Sequence, residues 1–344
     1  MEQQTEEIGM LDLMPHPTFC IENGAVTRLN QAARKLFLRE GLPIQTLLES
    51  GNEDYAAFSG GMLYLTLIIH DQRFGASVVR IGREDVFTLD QQFESEQLRV
   101  LALAARELRG PLAGAMLAAQ HMARDAVTGQ LNRSLCQLLR IVGNMSDAAG
   151  FGPMFRPEHV NVGALFQEIG EKAITLSEQA GVQIGFTGLE KSAVCCLDRQ
   201  MMERAVLNMI SNALKFTPKG GNIQLALYRN GKQFRFSVSD SGGGITEQEQ
   251  ATLFTRYLRE PTVEDPRHGI GLGMLLIRNA AARHRGAVLV DRPQGGGTRV
   301  TITFFSAPVD SAALHSKLVT ADYGGEQDHA LIELSDFLPY SAYE

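Results

Sequence analysis

The chain has 344 residues, 44% of them hydrophobic and 21% charged, with a formal net charge of -7. That length suggests two or three domains, the composition is that of an ordinary folded protein, and the acidic balance argues against a nucleic-acid binder working through a broad basic surface. Cys20, Cys136, Cys195 and Cys196 show no metal-ligand spacing, no stretch reaches the roughly 18 apolar residues a bilayer span needs, and the acidic start "MEQQTEEIGM" is no secretory signal. These features point to a soluble protein of a reducing cytoplasm, without a transmembrane segment.

Residues 12–90 read as a small α/β domain. "TFCIENGAVTRLNQAARKLF" predicts a strand, a turn at Asn23-Gly24, a second strand and a short helix beginning near Asn30. Asn-Gly between two apolar runs is a strong hairpin signal. The later runs "MLYLTLIIHD" and "FGASVVRIG" are β-rich and bounded by glycines. The pattern resembles a PAS sensory domain, whose opening often reads strand, "NG", strand, then "N-x-x-A-x-x-L".

Over 91–155 the period changes. Leu98, Leu101, Ala105, Leu108, Leu112, Ala115, Ala119 and Met122 are spaced alternately by three and four, a heptad repeat that predicts a helix packing along a supercoiled seam. A second run, Leu131, Leu135, Leu138, Val142, Met145 and Ala149, follows an expected break at Thr128-Gly129. Two such helices form an antiparallel hairpin whose apolar stripe is too exposed for a monomer. A second copy buries it in a four-helix bundle, so a homodimer is expected.

After the Gly/Pro-bearing linker "GFGPMFRPEHV", residues 159–305 alternate helix and strand. Helices are predicted over about 161–180, from Asp198 to Phe216, after Thr246 and through Arg283. Strands are predicted at "VQIGFTG", "NIQLALY", "QFRFSVSD", "AVLVD" and "TRVTITFF". Ile223, Leu225 and Leu227, like Phe234, Phe236 and Val238, alternate cleanly, as in a sheet with one buried face. A mixed sheet under a layer of helices follows. The tail, 306–344, holds at most one short helix, at "ALIELSDFL".

Three clusters in this region carry chemistry. In "ERAVLNMISNALKFTPKGG", Asn208, Asn212 and Lys215 fall at i, i+4 and i+7 and so share one helix face. A carboxamide is a neutral oxygen ligand suited to Mg2+ beside phosphates, and lysine supplies a point charge for them. In "VSDSGGGI" a strand ends at Asp240, which can accept a hydrogen bond from an exocyclic amine, while Gly242 and Gly244 let the backbone approach a flat base. Thr246 and Glu249 have capping-box spacing for the next helix. In "RHGIGLGMLLIRNAAARH", Gly269, Gly271, Leu272 and Gly273 lead into an apolar helix whose positive end can cradle phosphate. A dinucleotide fold is disfavoured, because this loop comes late in its domain and no acidic residue follows at the expected distance.

In this order the clusters resemble the ATP-binding domain shared by histidine kinases, DNA gyrase, Hsp90 and MutL-type proteins. "NMISNALKFTPKGG" is similar to the family's N box, "DSGGGI" to its G1 box and "GIGLGMLLI" to its G2 box. "LFTRYLR", with Phe254 and Tyr257, is similar to the F box, and "GGGTRVTITF", containing Thr298, to the closing glycine-and-strand segment. The resemblance implies ATP and Mg2+ as cofactors, Asn212 as the Mg2+ ligand beside Asn208, Lys215 toward phosphate, Asp240 on adenine and a lid over about 255–270. Gyrase-type hydrolysers carry a water-activating glutamate where this chain has Asn208, whereas histidine kinases commonly have asparagine there. The implied fold is a multidomain α+β chain: a PAS-like α/β domain, a dimerising helical hairpin and a Bergerat-type α/β sandwich.

The hairpin resembles the kinases' phosphotransfer domain, whose motif runs His-Glu-[Leu/Ile]-[Arg/Lys]-x-Pro-[Leu/Met]. Here it reads Arg106-Glu107-Leu108-Arg109-Gly110-Pro111-Leu112. A guanidinium stays protonated and offers no lone pair, so Arg106 cannot accept phosphate as a neutral imidazole does, and Glu107 is a base without its partner. His121 lies about 22 Å farther along a helix and has no following acid, which marks it as a surface histidine. Three readings remain open. The first is an ATP-binding signalling protein that does not autophosphorylate at the usual site. The second is an active kinase using another acceptor or a partner in trans, and the third a gyrase-type hydrolyser. Expected partners are a second copy and a response regulator or another kinase.

Overall fold

The computed structural model describes residues 11–12, 14, 16–49, 53–90, 94–148, 155–178, 181–188, 193–246, 272–306 and 328–343. The first unit opens with β1 (Thr18–Glu22) and β2 (Ala25–Leu29), antiparallel and joined at Asn23 and Gly24. Their φ angles of 53° and 80° are the two positive values that a type I′ hairpin turn requires. Asn30 then caps α1 (Gln31–Lys35), its Oδ1 accepting from the Ala33 amide at 2.9 Å and from the Thr18 amide at 3.0 Å. After the short α2 (Glu53–Ala56) come β3 (Met62–Ile69), β4 (Gln72–Ile81) and β5 (Glu84–Leu89). The five strands lie in the order β2-β1-β5-β4-β3, all antiparallel. Phe19 and Phe87 stack at 5.0 Å inside this unit, among buried Leu65, Leu67 and Val78.

Two long helices follow, α3 (Glu94–Ala119), which runs through Pro111, and α4 (Ala126–Ala148). They pack along each other. Ala105, Leu112 and Ala119, each a heptad apart, are buried, as are Leu135, Leu139 and Val142 of α4. Leu108 and Leu138 of the anticipated seam stay 47% and 48% exposed. A single chain therefore buries one row of the stripe and leaves the other in water. The break anticipated at Thr128-Gly129 is displaced, because α4 begins at Ala126 and runs through both residues. The turn sits at 120–125, where the Asp125 carboxylate accepts from the Thr128 amide at 2.8 Å and its carbonyl from Gly129 at 2.8 Å. A good cap at Asp125 outweighs the weak helix propensity of a glycine in the first turn.

The second unit contains α5 (Val162–Glu178), β7 (Gln183–Thr187), α6 (Arg199–Phe216), β9 (Asn222–Asn230), β10 (Gln233–Asp240), α7 (Leu272–Arg283), β11 (Val288–Asp291) and β12 (Arg299–Phe305). Its strands run β11-β12-β10-β9-β7, parallel only between β7 and β9, which makes the sheet mixed. Phe234, Phe236 and Phe304 line up on neighbouring strands, and Phe166 of α5 packs on Phe236 at 4.7 Å and on Phe304 at 5.7 Å. Burying each ring contributes roughly 2–3 kcal/mol relative to leaving it in water. A small ladder of β6 (Glu158–Asn161) with β8 (Val194–Leu197) was not visible in the sequence pattern, four residues being too short for a periodic signal.

His284, fully buried at the end of α7, ties this core together. Its Nε2 accepts from the Asp198 amide at 2.9 Å and its Nδ1 lies 2.8 Å from the Ala280 carbonyl. Those partners require the neutral ring with the proton on Nδ1, and burial holds its pKa below the ordinary histidine value. The folded-state pKa thus lies below the unfolded one. The neutral ring's contribution is complete above a pH of about 6.5 and is lost as the pH falls through the folded value. The expected result is a thermal midpoint that drops on acidification below that pH in the wild type, with the histidine-dependent part of the drop missing in His284→Gln. Parallel midpoint-versus-pH curves for the two proteins would refute it.

The tail supplies α8 (His329–Glu333) and a 3-10 turn (Tyr340–Tyr343), both seated on α4, with α8 also against α5 and α6. The two sheets are continuous: β3 pairs antiparallel with β11, Met62 opposite Val290, Leu63 opposite Leu289 and Tyr64 opposite Val288. Among the described residues the sheet has ten strands, in the order β2-β1-β5-β4-β3-β11-β12-β10-β9-β7. Among the described residues, no helix is long and apolar enough to cross a membrane.

Candidate functional site

The site grows from the end of one helix and the end of one strand. Helix α6 starts at Asp198, whose carboxylate accepts from the Met201 amide at 3.0 Å, and buries Leu207, Ile210 and Leu214 in the core. That packing turns Asn208, Asn212 and Lys215 the other way. Asn208 is only 4% exposed, while Asn212 and Lys215 are half-buried, with the Lys215 ammonium 5.7 Å from the Phe216 ring centre.

Strand β10 ends at Asp240, whose amide donates to the Thr298 carbonyl at 2.8 Å. Its Oδ1 accepts from the Gly242 amide at 2.8 Å and the Thr298 amide at 3.2 Å. Burial pushes the Asp240 carboxyl above the ordinary carboxylate range, against the lowering pull of those two amides. Two glycines let the backbone close around it. A Cβ on Gly242 would lie 2.4 Å from the Phe216 carbonyl at the end of α6. Gly297, at φ +75°, passes so near Asp240 that a Cβ there would lie 1.8 Å from its carbonyl. Gly244 is half-buried, at φ +80°. Gly297 was not singled out from the sequence, although it lies in the quoted "GGGTRV" run.

Of the third cluster, Leu272 and Gly273 are described. Gly269, Gly271, Phe254, Tyr257, Glu249 and the expected lid at 255–270 lie outside the described residues. Gly273, in the first turn of α7, faces the first cluster: a Cβ there would lie 2.9 Å from Asn208 Oδ1. Leu272 and Leu275 are buried against Leu101 of α3 and Met145 of α4, so the start of α7 rests on the two long helices. Asn208, Asp240, Gly242, Gly273 and Thr298 are therefore linked by short contacts through α6, the β10 loop, α7 and β12.

Arg106 and Glu107 are exposed on α3, immediately after buried Ala105. Among the described residues, no hydrogen bond or ion pair joins them to the cluster. His121 is exposed just beyond the end of α3, its Nδ1 2.8 Å from the Leu117 carbonyl.

One contributor had no signal in the sequence. Glu333, the last residue of α8, is fully buried, with Oε2 3.1 Å from Asn208 Nδ2 and Oε1 3.4 Å from Arg204 Nε. Arg204 in turn pairs with Asp147 and donates to Asn144 Oδ1 at 3.3 Å, both on α4.

The donor set fits a magnesium-bound nucleoside triphosphate. Asp240 offers a carboxylate acceptor beside closely packed Gly242 and Gly297, Asn208 and Asn212 offer neutral carboxamide oxygens, Lys215 a cation, and Gly273 lies in a first helical turn suited to phosphate.

Residues 197–308 match the family model of histidine kinase-, DNA gyrase B-, and HSP90-like ATPases. The adaptive-response sensory kinase SasA of Prochlorococcus marinus is 30% identical over 239 residues, covering 66% of this chain and 61% of that protein. Histidine kinase P4 of Formosa agariphila is 31% identical over 142 residues, 40% of this chain and 10% of that protein. The structure of full-length ShkA in complex with AMPPNP aligns with 62% of this chain and 47% of its own at 24% identity, with a TM-score of 0.48. The chain spans 58–61% of the length of the first four SasA proteins it matches.

Proposed function

We infer that this chain, which belongs to the two-component sensor histidine kinase family, binds Mg-ATP but does not phosphorylate itself at the family's usual position. One observation carries the reading: Arg106 stands exposed on α3 at the head of an otherwise matching motif, Glu107-Leu108-Arg109-Gly110-Pro111-Leu112. Bound Mg-ATP supplies a transferable γ-phosphoryl group. Arg106 presents no lone pair to it, and Glu107 has no imidazole to tune. Asp240, with Oδ1 held by the Gly242 and Thr298 amides, is the adenine acceptor in this reading, and Asn212 with Asn208 holds the metal. The described donor set, Asn208, Asn212, Lys215 and Asp240, favours a second reading, an active kinase that uses another acceptor or a partner in trans. Asn208 in place of a glutamate speaks against a gyrase-type hydrolyser.

The order β2-β1-β5-β4-β3 and the Asn30-capped helix support a PAS-like sensory role for residues 12–90. The exposed row of Leu108, Leu131 and Leu138 supports a homodimer in which two hairpins close a four-helix bundle. A response regulator or another kinase is the partner that family membership suggests.

Incubation with Mg2+ and γ-labelled ATP tests the reading. The wild type is expected to take up no label, and Arg106→His to gain a label that is acid-labile and base-stable. Such a label on the wild type, lost in Asp240→Ala, would sink the inactive-acceptor reading and point to another histidine.

A further inference from the structure

The side chain of Asn208 has only one sensible orientation. On one side it meets two acceptors, the Arg204 carbonyl at 2.9 Å and Glu333 Oε2 at 3.1 Å. A carboxamide oxygen there would face two lone pairs, so the NH2 must occupy that side, and the carbonyl Oδ1 is turned toward Gly273 in the first turn of α7. Asn208 comes from α6, the Arg204 carbonyl lies one turn earlier in the same helix, and Glu333 arrives from 125 positions along the chain. Without Glu333, half of what fixes the amide is gone, and a flipped Asn208 would present N–H groups to a cation. Groups that orient a metal's ligands in this way are commonly worth as much to metal affinity as some of the ligands themselves.

Glu333 is also tied at its other oxygen. Arg204 is buried between Glu333 and α4, where it meets Asn144 and Asp147. The α8 segment is anchored to the same helix: Arg140 donates to the Glu333 carbonyl at 3.0 Å and pairs with Asp336 at 2.6 Å, and Arg133 donates to the Ser335 carbonyl at 2.9 Å. A buried carboxylate with one oxygen on Asn208 and the other on an arginine shared with α4 joins two regions that sequence proximity does not.

We propose that Glu333 is a positioning residue of the nucleotide site: it fixes the Asn208 carbonyl toward bound metal and phosphate and thereby couples nucleotide occupancy to the seating of the C-terminal segment on α4. The proposal rests on the Mg-ATP reading given above. Mg2+-nucleotide binding is the condition in which the Asn208 oxygen is needed, and a nucleotide held without metal does not call on it.

Titration calorimetry of the full chain with ADP, in Mg2+ and in EDTA, tests it. Glu333→Leu, which leaves no acceptor for the Asn208 NH2, is expected to weaken ADP binding about tenfold in Mg2+ while leaving the affinity in EDTA unchanged. In an Asn208→Ala background the same change is expected to have no further effect. Equal losses with and without Mg2+, or an undiminished loss in that background, would assign Glu333 a merely structural role and overturn the proposal. A wild type that binds no ADP under either condition overturns the nucleotide reading and the proposal together. Hydrogen exchange on the wild type guards against a variant that folds poorly: Mg-ADP is expected to slow exchange at the amides of 330–334, and unchanged exchange there overturns the coupling.

Discussion

Replacing Asp240 with asparagine is expected to leave the protein folded and to weaken ATP binding about a hundredfold, the equivalent of roughly 2.7 kcal/mol. The substitution is isosteric, and the asparagine oxygen can go on accepting from the Gly242 and Thr298 amides, which Asp240 Oδ1 accepts at 2.8 and 3.2 Å. Burial already disfavours the charged form of Asp240, so exchanging it for a neutral amide removes a desolvation cost rather than adding one. What changes is the second atom. In place of a carboxylate oxygen there would be an NH2, which repels the exocyclic amine of adenine. Asp240→Ala should lose as much binding and some stability besides, because it orphans two loop amides. Calorimetric titration with ATP, beside thermal midpoints, separates these effects. Asp240→Asn protein that binds ATP within threefold of the wild type would show that adenine is not read by this residue.

Much of the local architecture is written in short-range signals. The Asn23-Gly24 hairpin, the Asn30 cap, the alternation of "IQLALY" and "FRFSV" and the start of α6 at Asp198 each depend on residues a few positions apart, and each appears in the structure where the pattern puts it. The i, i+4, i+7 spacing likewise places Asn208, Asn212 and Lys215 on one helix. What it does not reveal is how unequal they become, since Asn208 is buried and Asn212 only half-buried. The heptad stripe was legible as a stripe, but not which row a single chain would cover. The features with no local signal are the long-range ones: Glu333 against Asn208, β3 against β11, and the four-residue strands β6 and β8. Glu333 in "ALIELSDFL" looks like a solvated position on a short helix. Only the docking of α8 on α4 and α6 turns it inward, toward the arginine that compensates its charge.

Arg278→Met is expected to cost about 3 kcal/mol of stability and to split unfolding into two steps. Arg278 lies on α7 and is 3% exposed. Its Nη2 donates to Asp90 Oδ2 at 2.9 Å and its guanidinium carbon stands 4.4 Å over the Tyr64 ring, while the Tyr64 hydroxyl donates to the same Asp90 oxygen at 2.6 Å. Breaking a buried pair by removing one partner commonly costs 3–5 kcal/mol, because the other charge is stranded. Asp90 retains Tyr64 and some water, which places the loss at the lower end. Methionine fills much of the arginine's volume, so the cost reflects charge and stacking rather than a cavity. Tyr64→Phe, which keeps the ring beneath Arg278 and removes only the hydroxyl, should cost about 1 kcal/mol.

The seam between the two units has further supports among the described residues. One is the β3–β11 ladder. Another is Asp54 of α2, which accepts from Thr303 Oγ1 at 2.8 Å and from Gln233 Nε2 at 3.0 Å. Once the Arg278 contact is removed, these are short enough to let the first sheet melt ahead of the second. Scanning calorimetry that finds one transition at the wild-type midpoint would show that the continuous sheet, not this arginine, holds the units together. Asp90 follows β5 at the point where the chain leaves the first sheet for α3, and Arg278 sits on the helix whose first turn carries Gly273. One ion pair thus joins the exit of the first unit to the helix whose first turn carries Gly273.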